Sequence, residues 1–467
     1  MSNTIDGAIV IGYIVAIFIV GIMIYRRSRN YDDYLIAGRR LNVFFIAVTL
    51  TAMISSATLG VAGLGYSFGL TGAWFFIMLG VGAWILLFTV AGRLRALAQY
   101  SITDIFELRY NSHARIIIAI IGTLAYISLL SIGFVGGGQM LQSIFDIPLF
   151  PAMLIMAVPF IIYTALGGLW ASAITNIIKF LVLAAGLLVL IITVILRAGG
   201  LENLSAALPS GSLNPFSSDA LLFVWAFFWV MTLSMWVAAD IYQMLFSAKS
   251  VRTAKVGLGF AGLLIVLMGL AAAFIGLSAK AIFPDIQPEA AIPTLTATLA
   301  PGLRGFVVIA MLGGSAIAVV MFQIVSATLL VRGIWPKTRI SMNRIRALSA
   351  LMGVIGLAFA GLFPNIIFLT ELTFRIIIPA TFLPVLAAFY WKRATATGAI
   401  ASSLSGAIVS GLWTFLVLPG LSPQLQSILE PTFIGVVTSL VGLLIGSYAS
   451  QPPSPGKWQL FTSGQES

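Results

Sequence analysis

Residues 172–196 read SAITNIIKFLVLAAGLLVLIITVIL, and from Phe180 to Leu196 the run holds no charge and a single hydroxyl, Thr193. Wound as a helix at about 1.5 Å per residue it is long enough to cross a hydrocarbon core of about 30 Å. Runs of this kind recur from one end of the chain to the other. In the 467 residues, 60% of side chains are hydrophobic and 8% charged, whereas soluble domains carry about a quarter charged. A water-soluble fold is excluded. The alternation of apolar and polar positions that marks membrane β-barrels is absent. The chain is therefore expected to be an all-α polytopic membrane protein of about 13 transmembrane helices, over 7–25, 42–65, 72–92, 116–137, 148–166, 172–196, 221–246, 256–279, 305–331, 347–363, 367–390, 397–418 and 433–449.

The formal net charge is +11, but the basic residues stand in short clusters between apolar runs and not along one face, so no nucleic-acid partner is expected. Most of the 25 Lys and Arg residues share one side if the N-terminus is outside. They include Arg26, Arg27, Arg29, Arg39, Arg93, Arg109, Arg332, Lys337, Arg339 and Lys392. The positive-inside rule then orients the chain in a cell's inner (plasma) membrane, with the C-terminus in the cytoplasm. The first apolar run lacks a basic leader and a small-residue cleavage site, and reads as a retained helix. With no Cys, disulfides and thiolate metal sites are excluded. No paired-His helix, Gly-x-Ser-x-Gly elbow or phosphate-binding Gly loop is present, so the chain reads as no enzyme. No cofactor or metal site is expected. The lipid bilayer and a small-molecule solute are the expected partners, and the oligomeric state is not readable. The Pro/Ser/Gly-rich tail at 450–467 reads as disordered.

Five stretches, each at a helix end, resemble the sodium/solute symporter family. They are Tyr31-Asp-Asp-Tyr-Leu-Ile-Ala-Gly-Arg39, Ser101-Ile-Thr-Asp-Ile-Phe-Glu-Leu-Arg-Tyr110, Tyr163-Thr-Ala-Leu-Gly-Gly-Leu-Trp-Ala171, Tyr242-Gln-Met-Leu-Phe-Ser-Ala-Lys249 and Trp391-Lys-Arg-Ala-Thr-Ala-Thr-Gly-Ala399. The resemblance covers about 31–400 and implies a core of two inverted five-helix repeats with alternating access to a midplane site between broken helices. On it the chain divides into an N-terminal helix and loop (1–41), a first repeat (42–196), an external loop (197–220), a second repeat (221–390), two C-terminal helices (391–449) and a tail (450–467).

Leu50-Thr-Ala-Met-Ile-Ser-Ser-Ala-Thr-Leu-Gly60 interrupts an apolar span with small hydroxyl residues, the candidate unwound segment. By resemblance, the carbonyls of Leu50 and Met53 would face a sodium ion, and Ser55, Ser56 and Thr58 would lie near solute. The chain then departs from the family. Ile317 and Ala318 stand where a hydroxyl pair would ligate sodium, and a hard cation needs about six oxygens. Asn176 stands where the family has an acid. Lys179 lies three residues on, on the same helix face, at a depth where a lysine costs a few kcal/mol and marks function or a partner.

Lys179 is accordingly expected to replace the ion, with H+ as coupling ion in preference to Na+. Asp240 and Arg375 are the other charges expected to be buried. Arg375 is a candidate anchor for a solute carboxylate, although Glu371 stands four residues before it. Sugar-transporting relatives place Gln and Glu where this chain has Ala57 and Phe76. Trp225, Trp229, Trp236, Phe76 and Phe322 point to an apolar, aromatic cavity. The expected function is secondary transport of a small organic solute, a monocarboxylate or an amino acid. The alternatives are a sodium symporter with unconventional ligands (Thr51, Ser315, Asn176) and a transporter-like solute sensor.

Overall fold

The computed structural model describes residues 2–25, 31–216, 220–336 and 340–462. Arg26, Arg27, Arg29, Lys337 and Arg339, all assigned to the cytoplasm from sequence, lie outside the described residues. The helices in the first half are α1 (Ser2–Tyr25), α2 (Tyr31–Ile36), α3 (Val43–Met53), α4 (Thr58–Phe68), α5 (Trp74–Thr89), α6 (Ala91–Leu97), α7 (Ile102–Arg109), α8 (Ser112–Phe145), α9 (Leu149–Arg197), α10 (Leu201–Ala207) and α11 (Ala220–Phe227). The second half holds α12 (Leu233–Val237), α13 (Ala239–Ser247), α14 (Val251–Ile282), α15 (Ala291–Ala297), α16 (Leu303–Ile334), α17 (Met342–Leu362), α18 (Ile366–Tyr390), α19 (Ala396–Leu412), α20 (Pro423–Ile428), α21 (Pro431–Tyr448) and α22 (Pro455–Thr462). No strand occurs among the described residues; a single parallel bridge joins Leu41 and Ala248.

Among the described residues, ten helices are long and apolar enough to cross a membrane, or eleven if the bent pair Leu221–Val237 and Ala239–Ser247 counts as one span. The sequence-derived thirteen follows only if Val43–Thr89 is divided at Gly69, where φ is +67°, and the shorter α1 is added. Gly168 divides α9 in the same way. Its φ of 64° and ψ of −164° are open essentially to glycine alone, and a methyl there would meet the Tyr34 ring.

In lipid, helices associate through close packing and interhelical polar contacts, because apolar side chains gain nothing by leaving apolar tails. Small residues set the centre accordingly. α16 has 89% of its apolar window buried, against 28% for the span Ala396–Gly420. It meets α8 through Gly133 and Gly136, and it meets the turn after α3 and the second half of α9 through its own Gly313 and Gly314. A glycine seam also joins α4 and α14. A methyl on Gly276 would collide with the Ala62 carbonyl, and one on Gly65 with the Ala273 carbonyl.

The basic clusters meet at one end of the bundle. Arg39 donates to the Ala98 carbonyl (2.5 Å), Arg95 to Ala248 (2.6 Å), and Arg109 to Trp391 (3.1 Å). Arg332 pairs with Asp104 (2.8 Å). Of the tail read from sequence as disordered, residues 455–462 form a helix, and 463–467 lie outside the described residues. α22 docks on this end, with Lys457 donating to the Tyr110 carbonyl (2.5 Å) and the Phe461 ring against Phe389 (centroids 5.2 Å apart). Pro455 opens the helix, and its apolar residues find a face that composition alone does not reveal.

Candidate functional site

Two helix breaks face each other in the middle of the bundle. The first is the 3-10 turn Ser55–Ala57 between α3 and α4. There the Ser55 hydroxyl donates to the Ala52 carbonyl (2.6 Å) and Thr51 to Ala47 (2.8 Å). The second is at Ala238, whose ψ of 110° separates α12 from α13. In an unbroken helix the Asp240 N–H would donate to the Trp236 carbonyl. Here the Asp240 N–H donates instead to the Tyr126 hydroxyl (3.1 Å), and the Trp236 carbonyl accepts from the Tyr242 hydroxyl (2.8 Å). Two tyrosines thus satisfy both halves of the broken rung, as buried backbone groups require. The Tyr126 hydroxyl also donates to the Asp240 carboxylate.

Between the breaks lies a cavity of about 40 Å³ lined by Met53, Ile54, Ser56, Ala57, Phe75, Phe76, Ser234, Asp240, Phe322, Thr370 and Phe374, among others. A water needs roughly 10–15 Å³ of such volume, so this conformation has room for a few waters and not for an organic solute. Wider cavities of about 440 and 320 Å³ open at the bundle end opposite the basic clusters. They share Glu289, and the second reaches Glu371. On α18, Glu371 faces this vestibule while Thr370 and Phe374 face the central cavity.

Of the residues read from sequence as solute ligands, Ser56, Phe76 and Asp240 line the cavity, as do Ala57 and Phe322. Ser55 packs against Gly314, and Thr58 is buried with its hydroxyl unpartnered; neither lines it. Trp236 packs edge-on against Phe382. Trp225 and Trp229 stack on Phe433 of α21, outside the cavity. Arg375 also lies outside. Its guanidinium is held by Glu371 (3.0 Å) and Glu430 (2.9 Å), and Glu430 itself caps α21 through the Thr432 N–H (2.6 Å). Arg375 thus fastens α18 to α21.

The residues read as the ion site gather elsewhere. Lys179 and Asn176 are fully buried on α9. Among the described residues, the Lys179 Nζ and both amide atoms of Asn176 have no hydrogen-bond partner. The ammonium sits over the rings of Phe160 (5.5 Å) and Tyr163 (5.2 Å), and the Lys179 Cβ packs on the Gly313 face of α16. Ile317 and Ala318 are buried one turn along α16, offering no side-chain oxygen. Leu50 is buried and Met53 lines the central cavity. The Ser315 hydroxyl faces Gly136 of α8. The aromatic pair around Lys179 and the tyrosines that fasten the second break were not found from sequence. Tyr163 stands in one of the family-like stretches, three residues after Phe160, a spacing that puts both rings on one helix face.

The sodium:solute symporter family profile matches residues 34–406. The chain belongs to this family. The sodium/pantothenate symporter of Escherichia coli (strain K12) is 24% identical over 466 residues, 94% of this chain and 95% of that protein. The high-affinity proline transporter PutP of Bacillus subtilis (strain 168) is 24% identical over 497 residues, 96% and 99% of the two chains. A Na+-coupled sialic acid symporter, solved substrate-bound and outward-open, shares the fold at a TM-score of 0.81 and 18% identity, with 96% of this chain and 99% of that one covered. The symporter is thus a multi-pass secondary transporter of a small solute and not an enzyme.

Its family-like stretches act as fasteners at the basic end. Asp104 forms a capping box with Ser101 and receives Arg332; burial pushes its carboxyl above the usual range, against the pull of that guanidinium. Arg109 and Tyr110 bind carbonyls of Trp391, Lys392 and Pro384. Tyr34 covers the Gly168 turn, donating toward the Thr164 and Ala165 carbonyls.

Proposed function

We propose that the symporter moves its solute across the inner membrane without sodium at the family's usual site, and that the Lys179 ammonium takes the place of the ion, loading and releasing H+ as the site is exposed to either side. The observation that carries this reading is a fully buried lysine with no hydrogen-bond partner among the described residues, packed on the helix where Ile317 and Ala318 stand in place of the hydroxyl pair the family resemblance implies. A buried ammonium without a counter-charge is costly and persists where function requires it. The aromatic faces of Phe160 and Tyr163 offset part of that cost. The two repeats, 42–196 and 221–390, would rock about the central breaks, with the basic end in the cytoplasm and the N-terminus outside.

The rival reading, sodium held by Thr51, Ser315 and Asn176, is less well supported. The Ser315 hydroxyl is turned to α8. Equilibrium binding of radioactive sodium to the purified protein tests the choice. Saturable sodium binding to the wild type would overturn the proposal. The expected result is none, with binding appearing in a variant carrying Lys179→Ala, Asn176→Asp, Ile317→Ser and Ala318→Thr.

A further inference from the structure

We infer that the transported solute presents an ammonium group to Asp240 and an apolar body to the phenylalanines around it. The inference rests on the central cavity being the solute site and is independent of how transport is coupled. Among the described residues lining the cavity, Asp240 is the one charged side chain. The lining hydroxyls point to the same chemistry. Ser234 donates its proton to the Met231 carbonyl (2.7 Å) and Thr370 to Ile366 (2.8 Å), both on their own helices. Each turns lone pairs, not a proton, toward the cavity, and Ser56 is the one lining hydroxyl not committed in this way. The Tyr126 proton is likewise directed at the Asp240 carboxylate.

The wall is therefore a set of acceptors on an aromatic ground of Phe75, Phe76, Phe322 and Phe374. An ammonium finds there a charge-assisted bond to a carboxylate, further acceptors and ring faces that attract cations. A carboxylate finds one hydroxyl donor and a like charge, which disfavours it. Arg375, which would suit an anion, lies outside the cavity and is held by two acids. Of the two solute classes expected from sequence, this arrangement fits the amino acid, through its amino group, and disfavours the simple monocarboxylate.

The test is equilibrium binding by the full-length protein in detergent micelles, read by thermal shift and calorimetry with no ion gradient. The probes form matched series: ethylamine, isobutylamine, benzylamine and L-proline, compared with the alcohols and carboxylates of the same carbon skeletons. At least one ammonium compound should bind at least ten times more tightly than its alcohol and carboxylate counterparts. Asp240→Asn should weaken that binding at least tenfold. If no ammonium probe binds, if a carboxylate binds as well as its amine, or if Asp240→Asn leaves amine affinity unchanged, the inference is wrong. Where Asp240→Asn is not monodisperse, the wild-type ranking of the three probe classes decides. Because no gradient is present, a negative result bears on solute class and leaves the sodium-binding test to judge the coupling.

Discussion

Replacing Lys179 by Met should make the protein more stable and less useful. Met keeps a flexible side chain against Phe160 and Tyr163 and removes the ammonium, and no hydrogen bond to a described residue is lost because Nζ makes none. A lysine at the centre of a membrane helix costs about 2.5–3.5 kcal/mol on insertion scales, and contact with two aromatic faces returns about 1–2 kcal/mol. The net gain from Lys179→Met is then about 1–2 kcal/mol by these two terms. For 467 residues, an unfolding entropy of about 2.1 cal/mol/K per residue sums to roughly 1 kcal/mol/K. The melting temperature in micelles should rise by about 1–2 °C on that basis.

Transport should move the other way. One pH unit across the membrane is worth about 1.4 kcal/mol per coupled proton, a tenfold accumulation. Wild-type proteoliposomes should approach that ratio, and Lys179→Met or Lys179→Gln vesicles should only equilibrate the labelled solute. A melting temperature that falls by several degrees, together with undiminished pH-driven accumulation, would show that Lys179 is a structural lysine and refute the reasoning.

Three further outcomes are expected. Arg375→Gln should destabilise the protein by about 3 kcal/mol, because it strands the buried Glu430; adding Glu430→Gln should restore most of the loss with solute affinity intact, and a double variant unable to bind solute would return Arg375 to the solute site. Gly168→Ala should cost at least about 1–3 kcal/mol from its backbone conformation alone, seen as a lower yield of monodisperse protein, and Tyr34→Ala should not rescue it, since trimming the ring leaves the dihedral strain. In a chain without native cysteine, a cysteine at Lys392 should react with impermeant reagent only from the cytoplasm and one at Glu289 only from outside; the reverse pattern would invert the assigned orientation.

What the sequence revealed and what it hid follow from the range of the interactions involved. Apolar runs such as 172–196 announce membrane helices because lipid imposes one requirement on every residue of a span. The Ser55–Ala57 break shows itself in hydroxyls that bond to their own preceding turn, and Gly168 in a conformation only glycine adopts. The Ala238 break carries no such mark. It is held by Tyr126, 114 residues from Asp240, and by a tyrosine hydroxyl folding back on the helix. Arg375 looked half-free because Glu371 lies within reach along the helix, while its second partner, Glu430, is 55 residues on. The site of Trp225 and Trp229 was misjudged for the same reason: aromatic content says that a surface is covered, not by which neighbour. Asn176 and Lys179 were legible as departures from the family pattern, but the rings around Lys179 needed the fold.

The glycine seam between α4 and α14 sets a limit on repair. Where a new methyl strikes a side chain, a second substitution can carve room for it. At Gly276 and Gly65 the obstacle is the peptide carbonyl of Ala62 or Ala273, and no codon shortens a peptide. A lesion there can be absorbed only by prising the two helices apart, so suppressors of Gly276→Ala or Gly65→Ala should be absent from the facing helix. The outer half of the broken helix and its partner are in effect riveted, and any opening of the vestibule has to be taken up on the other flank of α4, where Gly60 meets the trimmable side chain of Ile367.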